Sequence, residues 1–434
     1  MESLDRRQFL GAIAKPAATA SMIVSSPTLM ANAYSKIKKV SGDPKSIAKD
    51  ESYWREIQQG YTADRGLINL NNGGVSPSPT VVQNALKRYL DFSNTSPAYS
   101  MWRILEPQKE TVRKRMARFF GCDTEEIALT RNASEGLQIC QNGFDLEPGD
   151  EVLTTTQDYG RMISTFKQRE CRDGIVMKQF KIPVPAENDN EIVKLFKQNI
   201  TPKTKLILMC HMINITGQIL PVKKVVRMAR KYDIPVIVDG AHTFAHFDFN
   251  IDDLECDYYA TSLHKWLSAP FGTGMLYVRK NKIENLWPMQ AAWSNDCKND
   301  DIRKFEEIGT HPCPNKIAIG DALTFQQGIG SKNKEERLIY LRDRWAKRLL
   351  KNDRVKLHTS LKPGKSCAIA TVEIKGIDTS AVAKELWDKY RIFVVAINHA
   401  EFTGCRVTPH VYTTVEEIDR FADAMETIIK NGVG

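Results

Sequence analysis

The stretch that most narrows the fold is Ile234-Pro-Val-Ile-Val-Asp-Gly-Ala-His242, an apolar run that closes on an acid, a glycine and a histidine. An apolar run without polar alternation suits a parallel strand buried on both faces. In an open α/β sheet, ligands gather beyond the carboxyl ends of such strands, so this one delivers Asp239 to a crevice. A carboxylate buried there needs a cationic partner, or it takes up a proton.

A second stretch, Thr261-Ser-Leu-His-Lys-Trp-Leu-Ser-Ala-Pro-Phe-Gly-Thr-Gly-Met-Leu-Tyr-Val-Arg279, offers a basic group for the same crevice. Asp257–Thr261 and Gly274–Arg279 read as short apolar strands, with Pro270, Gly272 and Gly274 punctuating the return. Between them sits Lys265, crowded by His264 and Trp266. Crowding at the end of buried strands disfavours the charged amine, lowers its pKa and frees it for Schiff-base chemistry. A lone loop lysine is ordinarily a solvated one, and the pairing with Asp239 is what gives this one chemical content. A protonated pyridine nitrogen would satisfy Asp239, with the lysine joined to an aldehyde on the far side of the ring.

The combination of Asp-Gly-Ala-His at 239–242 with His-Lys-Trp-Leu at 264–267 resembles the class V aminotransferase family of pyridoxal-phosphate enzymes, in its isopenicillin N epimerase-like form, from about Leu70 to the C-terminus. The resemblance implies an α/β fold of the aspartate aminotransferase type (fold type I), with a mostly parallel sheet in a large domain and a smaller C-terminal α+β domain. It also implies pyridoxal 5'-phosphate as cofactor, an amino-acid substrate and a homodimer.

The resemblance assigns roles residue by residue. Lys265 would carry the cofactor and move the α-proton, Asp239 would keep the ring nitrogen protonated, and His242 would hydrogen-bond the 3-oxygen. Ser262 and His264 would hold the phosphate. Glu126–Thr130 reads as a strand turning into a helix at Arg131–Gly136, whose first amides favour an anion. There Ala133 and Ser134 would cradle the phosphate, although Ser134 equally suits a plain helix cap. Tyr159 would stack on the ring, and Asn214 would lie near the 3-oxygen and the substrate carboxylate. Thr310 would reach the phosphate of the partner subunit. Arg406, in Gly404-Cys-Arg-Val-Thr-Pro-His-Val-Tyr412, would clamp the α-carboxylate with its planar fork. Leu67–Gly74 reads as a strand running into a turn, where Asn72 and Gly73 are substrate-side candidates or simply turn residues.

Where the family pattern continues with Arg-Asp after Gly-Thr, this chain has His311-Pro312, which leaves substrate preference open. Cysteine desulfurases need a nucleophilic cysteine on a loop well before the arginine, and none lies between Arg391 and Gly404. Cys405 is expected to pack. An aminotransferase or epimerase is the favoured activity. A β-lyase acting on a cysteine derivative, or a non-catalytic periplasmic protein keeping the fold, are the alternatives.

Composition agrees with a globular chain: 434 residues, 42% hydrophobic and 26% charged, with a formal charge of +9 spread thinly rather than gathered in a basic block. That distribution argues against nucleic-acid binding. Nine cysteines at irregular spacing have neither zinc-ribbon pairs nor the need for a disulfide framework. The one metal-like pattern is His242-x-x-x-His246 beside Asp239, and no third ligand is evident, so no metal is expected. No run is long and apolar enough to span a bilayer.

Asp5-Arg-Arg-Gln-Phe-Leu10, the small apolar residues from Gly11 to Val24, and Ala31-Asn-Ala33 together read as a twin-arginine signal over residues 1–33, implying the twin-arginine export machinery as a partner and a periplasmic location. Residues 34–49 read as a linker, 50–320 as the large cofactor domain, and 321–434 as a helical bridge with the small domain. A helix is expected over Arg103–Phe120, with Val112, Met116 and Phe119 as its buried stripe and Gly121 as its end.

Overall fold

The computed structural model describes residues 42–291 and 299–434. The expected signal at 1–33 lies outside them. Residues 42–49 were expected to belong to a linker, and they depart from that reading. Pro44–Ile47 forms a helical turn, Ile47 and Ala48 are buried, and their carbonyls accept bonds from Trp54 Nε1 and Arg337 Nη1. A Lys- and Ser-rich composition missed this because two apolar side chains suffice to dock a single turn.

A two-residue strand, β1 (Ile68–Asn69), opens the strand order. The main sheet has seven strands: β2 (Ile127–Thr130), β3 (Glu151–Thr155), β4 (Val176–Phe180), β5 (Thr204–Cys210), β6 (Val236–Asp239), β7 (Tyr258–Ser262) and β8 (Gly274–Val278). Their spatial order is β2-β8-β7-β6-β5-β3-β4, and β8 alone runs antiparallel to its neighbours. The strands β6 and β7 pair directly, with Asp239 opposite Ala260, so the acid and the loop that follows Ser262 emerge side by side.

Both faces of the central strands are buried, which is why β5 and β6 read as apolar runs, whereas the edge strand β4 is largely exposed. Tyr259 and Tyr277 face one core with Phe120, Phe180 and Phe196. Tyr258, Leu276 and Val278 face the other with Leu137 and Phe166. Gly240 is required by this packing, since a Cβ there would stand 1.9 Å from the Tyr259 ring.

The helix expected over Arg103–Phe120 is instead three pieces: a π-helical Ser100–Leu105, a 3-10 turn Glu106–Gln108, and an α-helix Lys109–Phe120. Pro107, which lacks an amide hydrogen, stands at the junction. Gly121 ends the helix with φ +82°, the left-handed conformation glycine accepts freely. Arg113 sits fully buried in that helix because it donates to the Ile127 carbonyl and pairs with buried Glu306.

The remaining strands are β9 (Val355–Leu357), β10 (Ala370–Ile374), β11 (Ile392–Phe393), β12 (Val395–His399) and β13 (Phe402–Val407). An antiparallel sheet in the order β12-β13-β10-β9 carries Arg406 on β13, and β1 pairs in parallel with β11. Helices Ser331–Leu349 and Val415–Asn431 cover it through Trp345, Phe421 and Met425. Among the described residues no helix is long and apolar enough to cross a membrane.

Candidate active site

A cavity of about 360 Å³ opens at the carboxyl ends of the parallel strands, within the range of small-molecule sites. Its lining brings together Ala133, Ser134, Tyr159, Asn214, Asp239, His242, Ser262, His264 and Lys265, nine residues selected from widely separated parts of the sequence.

The chemistry centres on Lys265. Its Nζ lies 3.0 Å from His242 Nε2, and desolvation, the dominant cause, pushes its pKa down to about 8 despite the opposing pull of Asp239. Asp239 is buried, with the Ala241 amide donating to its Oδ1 at 2.9 Å, and burial pushes its pKa up to about 6. One backbone amide is a meagre set of partners for a buried carboxylate. A cation placed against Asp239 would remove the penalty. His242 is held well below its ordinary pKa by burial and by the neighbouring Lys265, and its Nδ1 is buried without a partner.

On the next wall the helix Ala133–Gly143 begins with Asn132 as cap, its side chain accepting from the Glu135 amide at 2.9 Å. The cap therefore is Asn132, and Ser134 is left facing the cavity in a first turn whose amides lack intrahelical partners. The Ala133 amide donates to Ser262 Oγ at 3.0 Å, which ties the helix start to the end of β7. Gly274 permits this approach, because a Cβ there would lie 2.5 Å from the Asn132 backbone. His264 Nδ1 donates to the Thr273 carbonyl at 3.1 Å. Ala133, Ser134, Ser262 and His264 thus line the cavity beside the start of this helix, where an anion is favoured.

Tyr159 lines the mouth and is 40% exposed. It is set by Asp158, whose carboxylate accepts from the Thr154 and Thr155 hydroxyls and from the Thr155 and Cys210 amides, fastening the ends of β3 and β5 together. Arg406 is 7% exposed, donating to the Asn214 carbonyl at 3.0 Å and to Asn71 Oδ1 at 2.8 Å. Its Nε has no partner and no carboxylate pairs with it among the described residues, and desolvation lowers its pKa to about 10. A guanidinium buried without a counter-charge is prepared for an anion from outside.

Of the two roles left open for Asn72 and Gly73, the structure shows that of turn residues. Asn72 does not face the cavity: its amide donates to the Asn69 and Thr408 carbonyls, and its oxygen accepts from Tyr412 Oη and Asn69 Nδ2. It pins the turn, while its neighbour Asn71 accepts from Arg406 and Gly74 lines the cavity. Gly73 is likewise packed on Thr408, whose hydroxyl accepts its amide hydrogen at 3.0 Å, and its Cα faces His242. Thr310 is exposed on a loop and contributes nothing to the lining. Arg161, Met212 and Cys210 do line it, and sequence reasoning did not single them out. Arg161 was discoverable only as the second residue of the helix following Tyr159. His246 is no ligand beside His242, since its Nδ1 donates to the His242 carbonyl and its Nε2 accepts from the Ala368 amide.

A sheet of this order, with an unpaired strand-end acid and a desolvated lysine on the adjacent strand's loop, defines a pyridoxal-phosphate enzyme of fold type I. The aminotransferase class-V family model matches residues 68–421, and the chain belongs to that family. Over 394 residues it is 29% identical to an isopenicillin N epimerase of Amycolatopsis lactamdurans, covering 87% of this chain and 99% of that protein. It is 25% identical over 396 residues to a hercynylcysteine sulfoxide lyase of Schizosaccharomyces pombe, covering 86% and 96% of the two chains. Among solved structures, a C-DES mutant with glycine covalently linked to its PLP cofactor superimposes with a TM-score of 0.75 at 22% identity, covering 84% of this chain and 98% of that one. The apo cysteine desulfurase of Thermococcus onnurineus gives the same TM-score and identity over 87% and 98%.

Proposed function

We propose that this chain acts on the α-carbon of an amino acid as a pyridoxal-phosphate-dependent aminotransferase or epimerase. The observation that carries the proposal is the placement of Lys265, Asp239 and His242 in one cavity bordered by the uncompensated Arg406. The residues fit the cofactor: among the described residues Asp239 has only the Ala241 amide as a hydrogen-bond partner, His242 Nδ1 lacks one, and Ala133, Ser134, Ser262 and His264 line the cavity beside a helix N-terminus. When bound there, the cofactor supplies an electron sink for negative charge developing at the α-carbon.

The side chains do the rest. Asp239 would be the residue to hold the cofactor's ring nitrogen protonated, and that positive charge would keep its carboxylate ionised. Lys265, with its amine depressed toward neutrality, is the group that takes and returns the α-proton. His242 donates through Nδ1 while its Nε2 fixes the Lys265 amine. Tyr159 covers the mouth of the cavity, and Arg406 orients the substrate through its carboxylate, which sets the α-hydrogen toward Lys265.

A β-lyase acting on a cysteine derivative is the second reading. It is supported by the same proton-moving lysine and by the absence of a cysteine nucleophile: β12 and β13 are joined through Ala400 and Glu401. Cys210 is buried in the sheet, and burial holds its thiol, like that of Cys405, above the ordinary range. Desulfurase chemistry is disfavoured on that ground. A panel of L- and D-amino acids and cysteine derivatives, followed for α-proton exchange, keto acid and cofactor spectrum, separates the readings. Exchange with inversion marks an epimerase, keto acid with an aminated cofactor marks a transaminase, and pyruvate without it marks a lyase. No exchange with any amino acid would sink the proposal in favour of a non-catalytic protein.

Export and dimerisation complete the proposal. The Arg6-Arg7 pair suits a route that carries folded, cofactor-loaded protein to the periplasm. Thr310, exposed and outside the lining of its own cavity, suits a residue that serves a second copy.

A further inference from the structure

We propose that the stacked pair His246 and Trp266, clamped by Lys334, forms a positioning unit for the Lys265–His242 contact; this rests on the reading of Lys265 as the proton-moving group. The contact is closed into a ring of four residues. Trp266 follows Lys265 in the chain and stacks on His246 with centroids 3.5 Å apart and planes 8° from parallel. His246 Nδ1 donates to the His242 carbonyl at 2.7 Å, and His242 Nε2 returns to Lys265 Nζ at 3.0 Å. The Ala368 amide donates to His246 Nε2 at 3.0 Å, so both imidazole nitrogens are committed and the ring cannot turn.

Lys334 makes the unit more than core packing. It projects from the helix Ser331–Leu349, is 2% exposed, and donates from Nζ to the Trp266 carbonyl and to Gln326 Oε1. No carboxylate pairs with it among the described residues. A buried amine without a counter-ion carries a desolvation penalty, and one of the two bonds that offset it goes to the peptide carbonyl one residue beyond Lys265. Trp266 also stacks with His410, whose ring is 5.7 Å away at 15°, so the indole has a second aromatic neighbour. Displacing either His246 or Lys334 should let the loop relax and lengthen the amine-to-imidazole contact, without removing any group from the cavity itself.

The test compares wild type with His246→Phe, which keeps an aromatic face but removes both hydrogen bonds, and with Lys334→Met, which keeps the aliphatic stem. In the full chain without cofactor, the pH dependence of Lys265 acetylation by acetic anhydride is mapped by mass spectrometry. Lys265 is faced by His242, His264, Asp239, Cys210 and Arg406, all unchanged in the variants. Weakening the acceptor His242 should move the midpoint downward by about half a pH unit or more. In the loaded enzyme kcat should fall about tenfold or more while KM for the amino acid stays within about twofold. Should His246→Phe not fold, Lys334→Met carries both measurements. A wild-type midpoint and wild-type kcat in the variants, even with a lowered Tm, would reduce the stack to packing and overturn the proposal. If Lys265→Ala itself retains turnover, the assignment of Lys265 has failed and the positioning role goes with it.

Discussion

Lys265 Nζ and His242 Nε2 stand 3.0 Å apart, joining the loop after β7 to the turn after β6 across the floor of the cavity. The histidine is thereby a ligand of the amine on one side and, through its unpartnered Nδ1, a free donor on the other. Replacing it tests that double role. His242→Phe is expected to retain cofactor but to slow turnover about tenfold, the worth of one hydrogen bond near 1.4 kcal/mol. Steady-state kinetics with a cofactor-occupancy measurement checks this, and an unchanged kcat would remove His242 from the machinery.

Asp239 yields a pH prediction in the cofactor-free protein. Burial raises its folded pKa to about 6, above the ordinary aspartate value of about 3.9, so the folded state holds the proton more tightly than the unfolded one. Stability from this group is greatest at low pH, declines as pH rises from about 4 to 6, and is lost above that. Asp239→Asn should therefore be more stable than wild type at pH 8 and lose that advantage toward pH 4. Thermal melts across pH decide the matter, and equal Tm values at pH 8 would count against a strained carboxylate.

In the loaded enzyme the same substitution should work the other way. Removing the charge opposite the ring nitrogen is expected to slow α-proton exchange by about 10²- to 10³-fold, the scale of losing one preorganised electrostatic contact. Exchange into deuterated solvent reads it directly, and a wild-type exchange rate would rule out the assignment.

Arg406 is the substrate test. Arg406→Ala is expected to weaken amino-acid binding by about 1.5 to 3 kcal/mol and to leave cofactor affinity nearly unchanged, whereas amines lacking a carboxylate should not notice the change. Spectral titrations with paired amino acids and amines measure it. Equal losses for both would make Arg406 a structural residue held by Asn214 and Asn71.

Much of this was legible in the sequence because buried parallel strands announce themselves as apolar runs, as β5 and β6 do. The acid and the lysine could be paired because each closes or follows such a run. What was not legible depended on side-chain direction in irregular chain. Asn71 and Asn72 are adjacent and chemically identical, and only the bonds to Tyr412 and Thr408 decide that Asn72 turns inward while Asn71 reaches Arg406. Lys334 resembles any helical lysine in sequence, and its burial comes from the approach of the Trp266 carbonyl. The helix expected from Arg103 was interrupted at Pro107, a residue that pattern reading passed over in favour of the apolar stripe beyond it.

Export has its own test. Replacing Arg6 and Arg7 by Lys should leave an uncleaved precursor in the cytoplasm, since the twin-arginine route reads that pair. Cell fractionation distinguishes the outcomes, and normal periplasmic delivery of the double variant would exclude the route.

The central claim is that Lys265 is the amine joined to the cofactor. Borohydride reduction of the loaded protein, followed by proteolysis and mass spectrometry, locates the labelled lysine without reference to any activity. The account predicts the pyridoxyl group on the peptide containing His264-Lys265-Trp266 and its loss in Lys265→Ala. A label on another lysine, or the same label persisting in Lys265→Ala, would contradict it.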